Sequence, residues 1–254
     1  MKLTDIFSYA FSAIKLRKLR AGLTTLGVVI GIAAIVALLS ITQGLQVAIA
    51  TQLQKGFATD TLIVTARSES GFKLLVNDTK TIEVVGGGNV TVSLAVILRT
   101  GYIKSGGRTS RVTIVGVDFA AYKEIYSSTF SAEEGAIPQN PENNAVVVGK
   151  RVSDPWGNGT LFCKTDDNVE IIWTSRPFKN ETYMGNVVAV LKEVGGFSLG
   201  GPSDTSVYTP ITQAQNFFGT EECEMIIVKL KNDDKATIES TAKAIREAFA
   251  AKSQ

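Results

Sequence analysis

The residues that could do chemistry come as adjacent acids: Asp166–Asp167, Asp233–Asp234, Glu133–Glu134 and Glu221–Glu222. Paired carboxylates can act as general acid and base, or hold a hard cation through oxygen ligands. Here each pair sits in a polar, turn-like stretch, and neighbours on an extended strand point to opposite faces. They read as solvated, so no catalytic residue and no metal ligand is assigned. Histidine is absent from the 254 residues, which removes Ser/His/Asp and Cys/His catalysis, the HExxH zinc pattern and every His-ligated metal. No GxxxxGK[ST] phosphate loop occurs. The glycine runs at 86–88, 105–108 and 195–201 lack the strand–loop–helix spacing of a nucleotide site and read as turns. The chain is not expected to be an enzyme, and no cofactor is implied.

Two further residue types carry covalent possibilities. Cys163 and Cys223 form an even pair, which an oxidising compartment would allow to bridge, the alternative being two unpaired thiols. Asn77, Asn89, Asn158 and Asn180 each open an Asn-x-Thr sequon, and all fall in the later part of the chain. A net charge of +2 gives no pull toward nucleic acid.

The elements that must position these residues begin with one run, KLRAGLTTLGVVIGIAAIVALLSITQG at 18–44, which has no charge between Arg20 and Lys55. A hydrocarbon core about 30 Å thick needs roughly 20 helical residues, and residues 21–42 suffice. A soluble helix of this length would show a polar face, and none is present. Lys15, Arg17, Lys18 and Arg20 precede the run, so the N-terminus is expected in the cytoplasm and the chain beyond residue 42 outside it. A cleaved secretory signal would need a shorter apolar region and a small-x-small site. Residues 4–16 carry a helical apolar pattern suited to lying under the membrane. Gly27 and Gly31 form a GxxxG pair that lets a second helix approach.

Beyond Gly56 the pattern becomes strand-like. DTLIVTA (60–66), KTIEVV (80–85), VTVSLAVIL (90–98), RVTIVGVD (111–118), NAVVVG (144–149), VEIIW (169–173) and GNVVAVLKEVG (185–195) all read as strands. TPITQAQNFFG (209–219) reads as a short helix started near Pro210. EMIIVKLK (224–231) is a strand, NDD (232–234) supplies helix N-cap and first-turn acids, and a helix follows with Ile238, Ala242, Ile245 and Phe249 on one stripe. The expected fold is α+β, with one N-terminal transmembrane helix extending into a β-rich extracytoplasmic head with flanking short helices. The expected organisation is a basic segment (1–20), the membrane helix and its extension (21–56), and the head (57–254).

These residues resemble the MacB-type ABC permease family. The stretch KLRAGLTTLGVVIGIAAIVALLSITQGLQ is similar to that family's first transmembrane segment. GVDFAAYKEIY (116–126), AVVVGKRVSD (145–154) and GNVVAVLKEVGGFSLGGPSDTSVYTPITQAQNFFG (185–219) resemble its later steps in order. The resemblance implies four membrane helices, one before a large external domain and three after it, with paired permeases each docked on a cytoplasmic ATPase. This chain departs from that pattern by stopping at Gln254, before the later spans. It is therefore expected to serve as a membrane-anchored, non-catalytic part of such a permease, in contact with other transmembrane helices as a homo-oligomer, and with the ATPase only when the missing helices complete it. The alternative is a pilin-like subunit of a cell-surface adhesion filament, with residues from about 21 as the filament core; no early acid of the pilin kind supports it. In the head, Phe197 and Leu199 of the loop GGFSLGGPSD (195–204) are the candidates for contact with a partner.

Overall fold

A computed structural model describes residues 18–56, 60–66, 72–175, 179–195 and 201–252. The expected interfacial helix at 4–16, together with Lys15, Arg17, Phe197 and Leu199, lies outside them. The chain divides into two compact units between Thr51 and Gln52. That boundary falls inside the first helix, α1 (Lys18–Gly56).

Over Lys18–Val47, α1 is long and apolar enough to cross a membrane, and none of its most apolar window is buried. Those 30 residues rise about 45 Å at helical pitch. Apolar side chains stand exposed on every face, from Leu19 to Val47. Its threonines satisfy themselves: Thr24 donates to the Arg20 carbonyl at 3.0 Å and Thr42 to that of Leu38 at 2.9 Å. A hydroxyl bonded back four residues is tolerated in hydrocarbon.

Among its described residues the second unit has eleven strands, five α-helices and a short 3-10 turn at Gly87–Asn89. They begin β1 (Thr61–Thr65), β2 (Leu74–Leu75), α2 (Asp78–Gly86), β3 (Val90–Ser105), β4 (Arg108–Val117), α3 (Phe119–Ile125) and β5 (Ala132–Gly135). Next come β6 (Ala145–Val148), α4 (Lys150–Ser153), β7 (Asn168–Ser175), β8 (Lys179–Leu191) and β9 (Ser206–Pro210). The chain closes with α5 (Ile211–Phe218), β10 (Glu222–Cys223), β11 (Met225–Leu230) and α6 (Lys235–Lys252).

The longest strand, β3, serves two pairings. Its first half, Val90–Val96, runs antiparallel to β11, which continues to β1. Its second half, Ile97–Ser105, pairs with β4. From there β4 pairs with β9, β9 with β6, β6 with β8 and β8 with β7. β7 then returns to β3 at Tyr102–Lys104. The circuit β3–β4–β9–β6–β8–β7 closes on itself, while β1 and β5 remain outer strands.

Where β3 leaves β11, the backbone would be left unpaired. Glu224, just before β11, fills the gap: its carboxylate accepts from Leu98 N at 2.6 Å, and its own N–H donates to Val96 O at 3.0 Å. Arg99 forms an ion pair with the same carboxylate and donates to Leu98 O at 2.8 Å.

Period-2 alternation gives the sheet two cores. One face presents Ile97, Ile103, Ile114, Val148, Ile171 and Val207, packed with Ala214 and Phe218 of α5 and, beyond β11, with Ile82 and Ile245. The other presents Val115, Val117, Val147, Leu191 and Tyr208 to α3 and the segment after it. There Tyr122, Phe130 and Tyr208 meet with ring centroids 4.8–5.7 Å apart.

One expectation is corrected, and of the two alternatives for the cysteines the structure has the unpaired thiols. KTIEVV does not form a strand but lies in α2. Asp78, Ile82 and Gly86 recur every fourth residue and are buried together, while Val84 is 81% exposed. The helical face wins because it packs on α6, where Lys252 pairs with the buried Asp78 carboxylate. The same carboxylate accepts from Leu75 N at 2.9 Å. Cys163 and Cys223 are both free and buried, not bridged. Cys163 lies between α4 and β7 with its carbonyl bonded by Ser153 Oγ at 2.7 Å. Cys223 sits on the β2–β10 ribbon opposite Leu74, and no strand pairing brings the two together. A bridge needs Cα atoms within about 7 Å and converging Cβ vectors.

Burial pushes both thiols up to about 12 from 9.0. Native protein is therefore expected to react with a disulfide probe at pH 8 only at the rate it unfolds, and rapidly in denaturant. Burial also raises Tyr126 and Tyr183 to about 12 from 10.0. Groups raised in the folded state add stability that is fully present below their unfolded values and lost as pH rises through the folded ones. The urea midpoint should hold below pH 9 and fall steadily as pH climbs toward 12, the range these four groups set.

Gly116 of β4 faces α5 so closely that a Cβ there would lie 2.2 Å from Ala214 Cβ. Gly116→Ala should cost about 1–3 kcal/mol by overpacking. Adding Ala214→Gly should recover part of that loss in the same unfolding measurement.

Candidate functional site

Three surfaces stand out, and none has the geometry of a reaction centre. The first is α1. A Cβ built on Gly27 or Gly31 meets nothing within 4 Å, as at Gly22 and Gly44 of the same helix. Ala33, Ala37, Ser40 and Gly44 form a second row of small residues on another face, a spacing not picked out from the sequence. Lys18 and Arg20 sit exposed in the first turn of α1.

The second surface is the base of the loop between β8 and β9, whose Phe197 and Leu199 were expected to meet a partner. Asp204 pins that base. Its two carboxylate oxygens accept from Val194 N and Gly195 N, each at 2.8 Å. Its carbonyl accepts from Arg151 N at 2.8 Å and Val152 N at 3.1 Å, at the start of α4. Gly149 is required there, since a Cβ would fall 2.5 Å from the carbonyls of Ser203 and Asp204. Tyr208 OH accepts from Ser203 N at 2.7 Å, so the loop base is tied to the aromatic core. Arg151 also reaches Glu193, at 2.6 Å.

The third is an apolar groove of about 390 Å³ between β1 and α6, lined by Leu62, Val64, Phe72, Ile245 and Phe249 with Arg246 at its side. Phe72 and Phe249 meet edge to face at 5.7 Å. β1 is an outer strand without charged residues, whereas the outer strand β5 carries Glu133 and Glu134.

The adjacent acids are engaged locally. Asp234 caps α6 by accepting from Thr237 N at 2.9 Å, and hydrogen bonding from the Thr237 hydroxyl, then from its backbone N–H, holds the carboxyl below the usual range. α6 begins at Lys235, so both aspartates precede its first turn. Asp167 accepts from Lys164 N at 2.9 Å, and Asp166 takes a left-handed φ of 70° in that turn. Glu133 pairs with Lys150 at 2.8 Å and Glu222 with Lys73 at 2.6 Å. Among the described residues no three His, Cys, Asp or Glu side chains cluster as a metal site. Asn77, Asn89, Asn158 and Asn180 are exposed, each in a different part of the head.

Sequence reasoning missed α3, although Asp118, Phe119, Tyr122, Ile125 and Tyr126 carried the signal of a cap and a helical stripe. Asp118 accepts from Ala121 N at 2.9 Å as the cap. Asp204 and Glu224 carried no local signal.

Comparison with known proteins agrees with this architecture. The family model for the MacB-like periplasmic core domain matches residues 21–248. An uncharacterized ABC transporter permease, MJ1507 of Methanocaldococcus jannaschii, is 24% identical over 261 residues that take in 98% of this chain. The chain spans 60% of that relative's length. The periplasmic region of MacB from Actinobacillus actinomycetemcomitans superposes with a TM-score of 0.56 at 14% identity, covering 78% of this chain and 86% of that one. The extracellular domain of the noncanonic ABC-type transporter YknZ from Gram-positive bacteria gives 0.54 at 16% identity, covering 75% and 95%. At these identities the structures share the fold. A match that runs through the apolar helix and the head in one stretch does not favour a pilin-like filament subunit. The chain belongs to the MacB-like periplasmic core domain family of ABC transporter permeases.

Proposed function

We propose that this chain is the membrane-anchored, extracytoplasmic part of a MacB-like ABC permease, and that it works by contact and by passing movement outward, without bond chemistry of its own. The observation that carries this reading is the unbroken family match from α1 to α6, residues 21–248. The closed strand pairing and the two cores on its faces suit a head that moves as one body. In this reading Lys15, Arg17, Lys18 and Arg20 hold the N-terminus in the cytoplasm. α1 crosses once, and Gly27 and Gly31 receive a neighbouring span of the assembled permease, which contains two or more copies. A cytoplasmic ATPase supplies the energy through the membrane helices of the complete transporter. Outside, Phe197 and Leu199, which follow the segment pinned by Asp204 in sequence, meet the substrate or partner.

The test is affinity purification of the full chain from native membranes in mild detergent, with co-purifying proteins identified by mass spectrometry. An ABC-type ATPase should be recovered with the chain. Replacing Gly27 and Gly31 together by Ile should lower that recovery severalfold and leave the unfolding of the head unchanged. Recovery of the chain with no ATPase, or an ATPase yield indifferent to both substitutions, would overturn the reading.

A further inference from the structure

The geometry points to Asn158 as a glycan acceptor, with Trp156 as the platform for the first sugar. Four sequons are present, and the backbone treats them differently. Asn180 lies in β8, where Thr174 Oγ1 donates to its Oδ1 at 2.8 Å across the hairpin. Asn77 has helical backbone angles (φ −69°, ψ −11°) ahead of α2. The hydroxyl of its Thr79 donates to the Val76 carbonyl at 2.9 Å. Asn89 ends a short 3-10 turn, its carbonyl accepting from Lys231 N at 2.9 Å, and its Thr91 is already in β3.

Asn158 alone among these has its sequon folded back on itself: Thr160 N donates to Asn158 Oδ1 at 3.0 Å. That bond polarises the side-chain amide and draws the asparagine and threonine together. Gly157 and Gly159 sit at φ 66° and 78°, a region that favours glycine, so the turn is set by the chain. The loop is pinned at both ends. Gly159 N donates to Asp154 Oδ2 at 3.1 Å, and Arg108 donates to Leu161 O at 2.7 Å. Asn158 and Thr160 are exposed. Two residues before the asparagine, Trp156 leaves 61% of its surface in solvent. A large exposed indole beside an acceptor asparagine is suited to cover the apolar face of a sugar ring.

The chemistry is transfer from a polyprenyl-phosphate- or pyrophosphate-linked oligosaccharide by an extracytoplasmic transferase. Asn158 Nδ2 bonds to the anomeric carbon and the C–O bond to the phosphate breaks. The lipid phosphate leaves with that electron pair, and one Nδ2 proton passes to a base of the transferase. The inference rests on the head lying outside the cytoplasm.

The test is glycopeptide mass spectrometry of the full chain isolated from the cells that make it, with protease added to intact spheroplasts as a separate reading of topology. The tryptic peptide from Val152 to Lys164 should carry sugar masses, and the peptides holding Asn77, Asn89 and Asn180 should carry less or none. Thr160→Ala, which keeps Asn158, should abolish the sugar masses. Thr160→Ser should retain them, and Trp156→Ala should lower occupancy severalfold. A head that is cleaved from outside yet bare at Asn158 overturns the inference and leaves the topology standing. So does glycan found only at the other sequons. A head protected from outside protease overturns both.

Discussion

The head depends on one strand being shared. A 16-residue strand is long for a globular domain, and β3 uses its length to belong to two pairings in succession. The cost of such a switch is a stretch of backbone with no partner on one edge. Glu224 removes it by offering carboxylate oxygens where the β11 backbone has ended, and Arg99 balances the charge. Both side chains are partly exposed, so solvent screening keeps the ion pair modest. The satisfied backbone N–H matters more, because an unmade buried hydrogen bond costs more than a made one gains. This stitch completes the pairing where the β1–β11 ribbon and the closed ring meet on β3.

Everything packed on that frame follows from alternation. Because successive residues of β3, β4, β6 and β9 point to opposite faces, a single sheet feeds both an aliphatic core under α2, α5 and α6 and an aromatic core under α3. Close packing at one point, Gly116 against Ala214, sets how near α5 can lie. Buried phenols and thiols with raised pKa values are the electrostatic signature of these dry interiors. The polar work is done at the rim, where Asp204 gathers four backbone N–H groups and turns the end of β8 toward the start of β9.

The first unit obeys a different solvent. α1 exposes leucine, isoleucine and valine on all sides, and burying that surface in water would require a protein core of a size the helix does not have around it. Lipid satisfies it instead, and the helix meets the demands of lipid internally, through its own backbone bonds and its back-bonded threonines.

Much of this was legible in the sequence, because local physics decides it. The apolar run without a polar face, the basic cluster before it, Pro210 ahead of α5 and the acids ahead of α6 all act within a few residues. The order of motifs along the chain also pointed to the MacB-like family. The tertiary structure decided what depends on distant partners. KTIEVV is β-branched and reads as a strand, yet it is helical because Ile82 faces α6 and Lys252 reaches Asp78 from 174 residues away. The two cysteines share a parity but not a neighbourhood. Glu224 and Asp204 look like ordinary surface acids until the fold brings unpaired backbone to them. A side chain's type is written in the sequence, but its burden of unpaired groups is set only when the strands choose their partners.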